Sequence, residues 1–164
     1  MNFASPLLRL IDRVAPPEHV SAHCDIPCGI YDPHTAQIAA LTVVRMNQLI
    51  EGLTTEGVAR ENSFVRYVKT KEDHAEAAKR ELDILWHDYF KPEHLEKYPD
   101  LHKTFWDATK LASRNKQNAD LQAAQELLQA THRIAEIFWE SKGVPTRKGP
   151  SNQAVGGELV YVAN

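Results

Sequence analysis

From His34 to Ser141 the apolar residues return every three or four positions, in four runs parted by short polar or proline-bearing breaks, and no stretch between them alternates as a strand does. The first run carries Ile38, Leu41, Val44, Met46, Leu49 and Ile50 and predicts a helix from His34 to Leu53, ended by Thr54-Thr55-Glu56-Gly57. The second, from Ala59 to Phe90, puts Phe64, Val68, Ala75, Ala78, Leu82, Leu85, Trp86 and Tyr89 on one stripe, which Pro92 stops. A third opens at Pro99-Asp100, runs through Leu101, Phe105, Ala108 and Leu111, and fades over Ser113 to Asn118. A fourth spans Asp120 to Ser141 through Leu121, Ala124, Leu127, Leu128, Ile134, Ile137 and Phe138. Four amphipathic helices on short connections specify an all-α chain, an antiparallel up-down four-helix bundle over residues 34–142. Beyond it, Pro145, Gly149, Pro150 and Gly156-Gly157 make residues 143–164 a flexible C-terminal extension with a short extended piece at Leu159-Val160-Tyr161-Val162.

Composition removes several function classes. No apolar stretch approaches the roughly 20 residues a membrane helix needs, so a membrane role is not expected. The net charge is −3 and the basic residues do not gather in one segment, which argues against a nucleic-acid partner.

Chemistry concentrates before the first helix. The stretch His23-Cys24-Asp25-Ile26-Pro27-Cys28-Gly29-Ile30-Tyr31-Asp32-Pro33 holds both cysteines of the 164-residue chain, with an imidazole directly ahead of the first. Proline and glycine bend the loop, so soft sulfur and nitrogen donors converge at its N-terminal end as a metal hook. The residues alone leave several readings open. A disulfide across three intervening residues closes a tight, strained loop, and a thioredoxin-type redox pair has two intervening residues. A structural zinc site needs four protein ligands, and this segment offers His23, Cys24 and Cys28 unless Asp25 or a distant histidine joins them. His34, His87, His94, His102 and His132 are scattered and form no second spaced cluster. Two neighbouring cysteines outside any disulfide framework fit a reducing compartment, here the cytoplasm.

Residues 23–33 resemble the hook of the nickel superoxide dismutases, His-Cys-Asp-x-Pro-Cys-Gly-x-Tyr-Asp-Pro, with every fixed position present. The stretch Leu85-Trp86-His87-Asp88-Tyr89-Phe90-Lys91-Pro92, followed by His94 and Glu96-Lys97-Tyr98-Pro99, is similar to that family's other recognisable segment, and Ile137-Phe138-Trp139-Glu140 to its last helix. The resemblance covers roughly residues 23 to 142 and implies the same helical bundle, assembled as a homohexamer with the hooks at subunit contacts. It implies further that residues 1–22 are a propeptide whose removal makes His23 the N-terminus, and that one nickel ion per subunit is bound by His23, Cys24 and Cys28. Nickel(II) is then held in a plane by the freed α-amine, the next backbone nitrogen and the two thiolates, with the imidazole axial in the nickel(III) state. Such a nitrogen and sulfur set suits nickel(II) or copper(II) better than tetrahedral zinc. The implied reaction disproportionates superoxide: nickel(III) oxidises one molecule to oxygen, and nickel(II) reduces another to hydrogen peroxide as two protons arrive.

The resemblance also assigns supporting roles. Tyr31 stands over the open face of the nickel, Tyr89 is the second tyrosine near it, Asp25 fixes the hook through hydrogen bonds, and Pro27 pins it through a cis Ile26-Pro27 bond. Lys91 is a candidate for drawing in the superoxide anion. Family members commonly have a glutamate soon after the hook and an arginine on the second helix to orient the axial imidazole, and this chain has Ala39 and His74 there. Ahead of the hook, Val20-Ser21-Ala22 offers the small residues a processing protease accepts. The apolar run Pro6-Leu7-Leu8-Arg9-Leu10-Ile11 is interrupted by charge, so the leader reads as an amphipathic propeptide rather than an export signal. A nickel chaperone is a further expected partner. Two other readings remain at this point: a non-catalytic helical protein that binds nickel, copper or zinc, and a cysteine-nucleophile enzyme using Cys24 or Cys28.

Overall fold

A computed structural model describes residues 29–163 of the chain. Four long helices form the bundle: α1 (His34–Glu51), α2 (Gly57–Ile84), α4 (Leu101–Gln117) and α5 (Leu121–Ser141). Helix α1 packs against α2 and α5, and α4 closes the ring against the same two. Short connections make successive helices antiparallel, as the four apolar stripes predict.

Several helix ends lie where the sequence supplies a cap or a breaker. Asp32 Oδ1 accepts the His34 N–H at 2.7 Å at the entry to α1, and Asp120 Oδ1 takes the Ala123 N–H at 3.0 Å at the start of α5. Hydrogen bonding from that backbone N–H is the main reason the Asp120 carboxyl lies below its ordinary pKa, with Arg114 adding to it. At the end of α5, Gly143 adopts φ +71° and the Val144 N–H returns to the Trp139 carbonyl at 2.9 Å, a left-handed stop that glycine adopts cheaply. The C-terminus of α4 is closed from outside. Lys71 of α2, 1% exposed, donates its ammonium to the Asn115 carbonyl and to the Asn118 carbonyl at 2.7 Å. Burial lowers the Lys71 pKa, while the negative end of the helix dipole compensates the charge.

The core has two layers of different character. One is built largely from small residues, Ala39, Ala40, Ala75, Ala78, Ala112 and Ala124, with Leu127 and Leu128, and lets the helices approach closely. The other is aromatic: Phe90, Phe105 and Phe138 with Leu82, Leu85 and Leu101, flanked by Tyr31, Trp86, Tyr89 and Tyr98. The candidate site lies at this aromatic end.

Three features differ from the sequence reading. The second helix does not run unbroken to Phe90: α2 passes into a π-helical turn, Leu85–Tyr89, closed by the Phe90 N–H on the Leu85 carbonyl at 3.1 Å. A short helix α3 (Pro92–Lys97) follows, with Pro92 at its first position, where a missing N–H costs nothing. The third correction concerns the C-terminal extension, which over residues 143–163 is not a flexible linker around one extended piece. Strands β1 (Thr146–Pro150) and β2 (Glu158–Val162) pair antiparallel, Thr146 opposite Val162 and Pro150 opposite Glu158, and Leu159 joins the small-residue core layer. Gly156 and Gly157, at φ +74° and +72°, supply the left-handed backbone that turns the connection.

Candidate functional site

The N-terminus of α1, the π-helical turn at the end of α2 and the C-terminus of α5 meet at the aromatic end of the bundle. Tyr31, three residues past Cys28, is delivered there just before Asp32 and Pro33 start α1. Its ring lies 5.8 Å from that of Tyr89, tilted by 57°. The two tyrosines named from the sequence are therefore neighbours, although 58 positions separate them in the chain.

Tyr89 is held on every side. Its ring packs 4.4 Å from Phe138 and 4.9 Å from Phe90, and stacks on His94 at 5.6 Å with 20° between the planes. His94 is itself fixed, because Nδ1 accepts the Lys91 N–H at 2.9 Å and its own backbone N–H donates to the Lys91 carbonyl at 2.9 Å. The Tyr89 hydroxyl is 2.6 Å from Ser141 Oγ, and Ser141 donates its proton to the Phe138 carbonyl at 2.7 Å. With that proton engaged, Ser141 receives the hydrogen bond from Tyr89.

Two lysines lie near this end. Lys91 is exposed and forms no ion pair among the described residues. Lys142 spreads its ammonium over three rings, 4.6 Å from Phe138, 5.2 Å from Tyr89 and 5.8 Å from Trp139. Sequence reasoning missed Ser141, His94 as the brace for Tyr89, and Lys142. The signals were slight: Ser141 and Lys142 directly follow the Ile137-Phe138-Trp139-Glu140 segment, and His94 stands just after the Leu85-to-Pro92 segment.

His23, Cys24, Asp25, Cys28 and the expected cis Ile26-Pro27 bond lie outside the described residues. Among the described residues, no group of three or more His, Cys, Asp or Glu side chains is placed to hold a metal ion. Ala39 is buried in the small-residue core layer. His74 is half-buried, with Nδ1 2.9 Å from the Thr70 carbonyl of its own helix. Neither residue reproduces a carboxylate and guanidinium pair.

The sequence model of the family described as "Nickel-containing superoxide dismutase" matches residues 18–142. The chain belongs to the nickel superoxide dismutase family. Membership makes it an oxidoreductase acting on superoxide, with nickel as cofactor. The "Superoxide dismutase [Ni]" of Streptomyces seoulensis is 41% identical over 130 residues, covering 78% of this chain and 94% of the relative. That of Streptomyces coelicolor is 41% identical over 128 residues, with the same shares. Among solved structures, native nickel superoxide dismutase superposes with a TM-score of 0.67 at 40% identity, over 73% of this chain and 99% of that one. A nickel-containing superoxide dismutase with ligation corresponding to the oxidised state gives 0.68 at 40% identity, over 74% and 99%. The β1–β2 hairpin lies beyond the stretch that the family model matches.

Proposed function

We propose that this nickel superoxide dismutase matures by loss of residues 1–22, so that His23 becomes the N-terminus. One nickel ion per subunit is held by the α-amine and imidazole of His23, the backbone nitrogen of Cys24 and the thiolates of Cys24 and Cys28. The donor chemistry fits the metal, since thiolate sulfur and amine nitrogen are ligands nickel favours over a hard cation. When bound, nickel supplies one-electron redox chemistry by alternating between Ni(II) and Ni(III), which takes an electron from one superoxide and gives it to the next. The observation that carries this reading is the meeting of Tyr31 and Tyr89 at 5.8 Å, which sets a tyrosine pair at the bundle end where the cysteine segment enters.

The chain's own residues then divide the remaining work. Tyr31 faces the substrate and orders water or peroxide. Tyr89, whose hydroxyl is bonded to Ser141, is its rigid wall. Lys91 and Lys142 raise the local concentration of the superoxide anion, as focused positive potential does at the mouth of a site. Asp25 holds the hook through hydrogen bonds. The assembly is a homohexamer, as the family resemblance implies, in the cytoplasm, which two cysteines outside any disulfide framework suit; a processing protease acting at the Val20-Ser21-Ala22 junction and a nickel chaperone prepare it.

Substituting Cys24→Ser and Cys28→Ser separately tests the ligand assignment. Each is expected to abolish nickel binding and superoxide turnover while leaving the helical circular dichroism unchanged. Retention of stoichiometric nickel by either variant contradicts it. Tight nickel binding by the unsubstituted protein without turnover would favour a storage role instead.

A further inference from the structure

The most completely buried amide of α1 is satisfied by a strand outside the family match. Gln37, in the first turn of α1, has no exposed surface. Both ends of its side chain bond to one residue of β2: the Val160 N–H donates to Oε1 at 2.8 Å, and Nε2 donates to the Val160 carbonyl at 3.3 Å. A buried amide left unpaired costs roughly 1–3 kcal/mol, so this face of α1 accommodates glutamine because β2 lies across it.

Other contacts follow the same line along α1. The His34 ring faces Tyr161 of β2 at 6.3 Å. Further down, Gln48 Nε2 donates to the Val155 carbonyl at 3.2 Å, and the backbone at Gly157 lies so close that an added Cβ would sit 3.6 Å from Leu41. The hairpin is thus strapped to α1 from its first turn to its last. That first turn is where the polypeptide leaves the bundle toward Tyr31 and the two cysteines.

We propose that the C-terminal hairpin is a positioning element for the metal-bearing N-terminal segment, with Gln37 as the positioning residue through which β2 fixes the first turn of α1. The inference rests on the reading that His23, Cys24 and Cys28 hold nickel. It assigns work to a part of the chain that lies beyond the family match.

The experiment uses the nickel-loaded protein that begins at His23 and keeps the C-terminal hairpin, with the variants Gln37→Leu, which keeps the bulk and removes both hydrogen bonds, and Tyr161→Ala, which removes the ring beside His34. Two rates are read: nickel loss to a chelator, and hydrogen exchange of backbone amides over residues 34–40. Gln37→Leu should speed both by about tenfold, the size expected from two neutral hydrogen bonds, and Tyr161→Ala should speed both by less. Exchange in α4 and α5 should not change. Unchanged nickel loss, or faster exchange spread evenly over all helices, overturns the proposal, the second outcome marking Gln37 as a general stabiliser. Should the unsubstituted protein bind no nickel, the ligand reading falls and with it the positioning role, whereas exchange at residues 34–40 still shows whether the clamp exists.

Discussion

The Tyr89 hydroxyl and Ser141 Oγ, 2.6 Å apart and 52 positions distant in sequence, tie the π-helical turn after α2 to the last turn of α5. A neutral hydrogen bond of this kind contributes about 0.5–1.5 kcal/mol net. Ser141→Ala and Tyr89→Phe are each expected to destabilise the protein by about 1 kcal/mol in urea unfolding, and the double variant by less than the sum. Strict additivity would show that the two groups do not act together.

Lys91 and Lys142 are expected to act through long-range attraction. Replacing either by alanine should lower kcat/KM for superoxide roughly two- to fivefold at low ionic strength, with the difference shrinking as salt is added. A loss independent of salt would assign the lysine a contact role instead. Stopped-flow measurement of superoxide decay across a salt series distinguishes these outcomes.

Lys71 caps α4 from a buried position, so Lys71→Met leaves the Asn115 and Asn118 carbonyls without their donor. The expected cost is about 2–3 kcal/mol, the penalty for orphaned buried acceptors partly offset by the apolar replacement. Denaturant unfolding at neutral pH reads it, and a change under 0.5 kcal/mol would mean that water takes the place of the ammonium.

His132 gives the fold a pH dependence. It is 1% exposed, and among the described residues neither ring nitrogen has a partner of good hydrogen-bond geometry. Burial is the main cause of its lowered pKa, with Lys148 of β1 adding to it; the Glu158 backbone carbonyl and the Glu136 and Glu158 carboxylates pull the other way. The unfolded chain therefore binds a proton more readily than the folded one. Stability from this group is complete above the ordinary imidazole value of about 6.5 and falls as pH drops from there through the folded pKa. His132→Leu should flatten the unfolding free energy between about pH 7 and 5; an unaltered slope would show that other groups set it.

The bundle was legible because apolar residues recur at three- and four-residue spacing within each of four runs, those of Leu41, Leu82, Phe105 and Ile134. Of the candidate site, the motif residues Tyr31 and Tyr89 were legible, and their rings lie 5.8 Å apart. What escaped had physical reasons. A single π-helical turn leaves the apolar stripe through Leu85, Trp86 and Tyr89 looking like ordinary helix, and α3, six residues that begin with Pro92, is too short to show a period. Strand β1 buries only Gly149, so its sequence lacks the alternation that marks a half-buried strand. Lys71 and Gln37 read as surface residues because their burial depends on partners 44 and 123 positions away.

Intact mass and bound metal of the active protein test the central claim most directly. The expected chain begins at His23 and carries nickel near one per subunit. Full dismutase activity in a chain that retains Met1, or in one free of nickel, would contradict it.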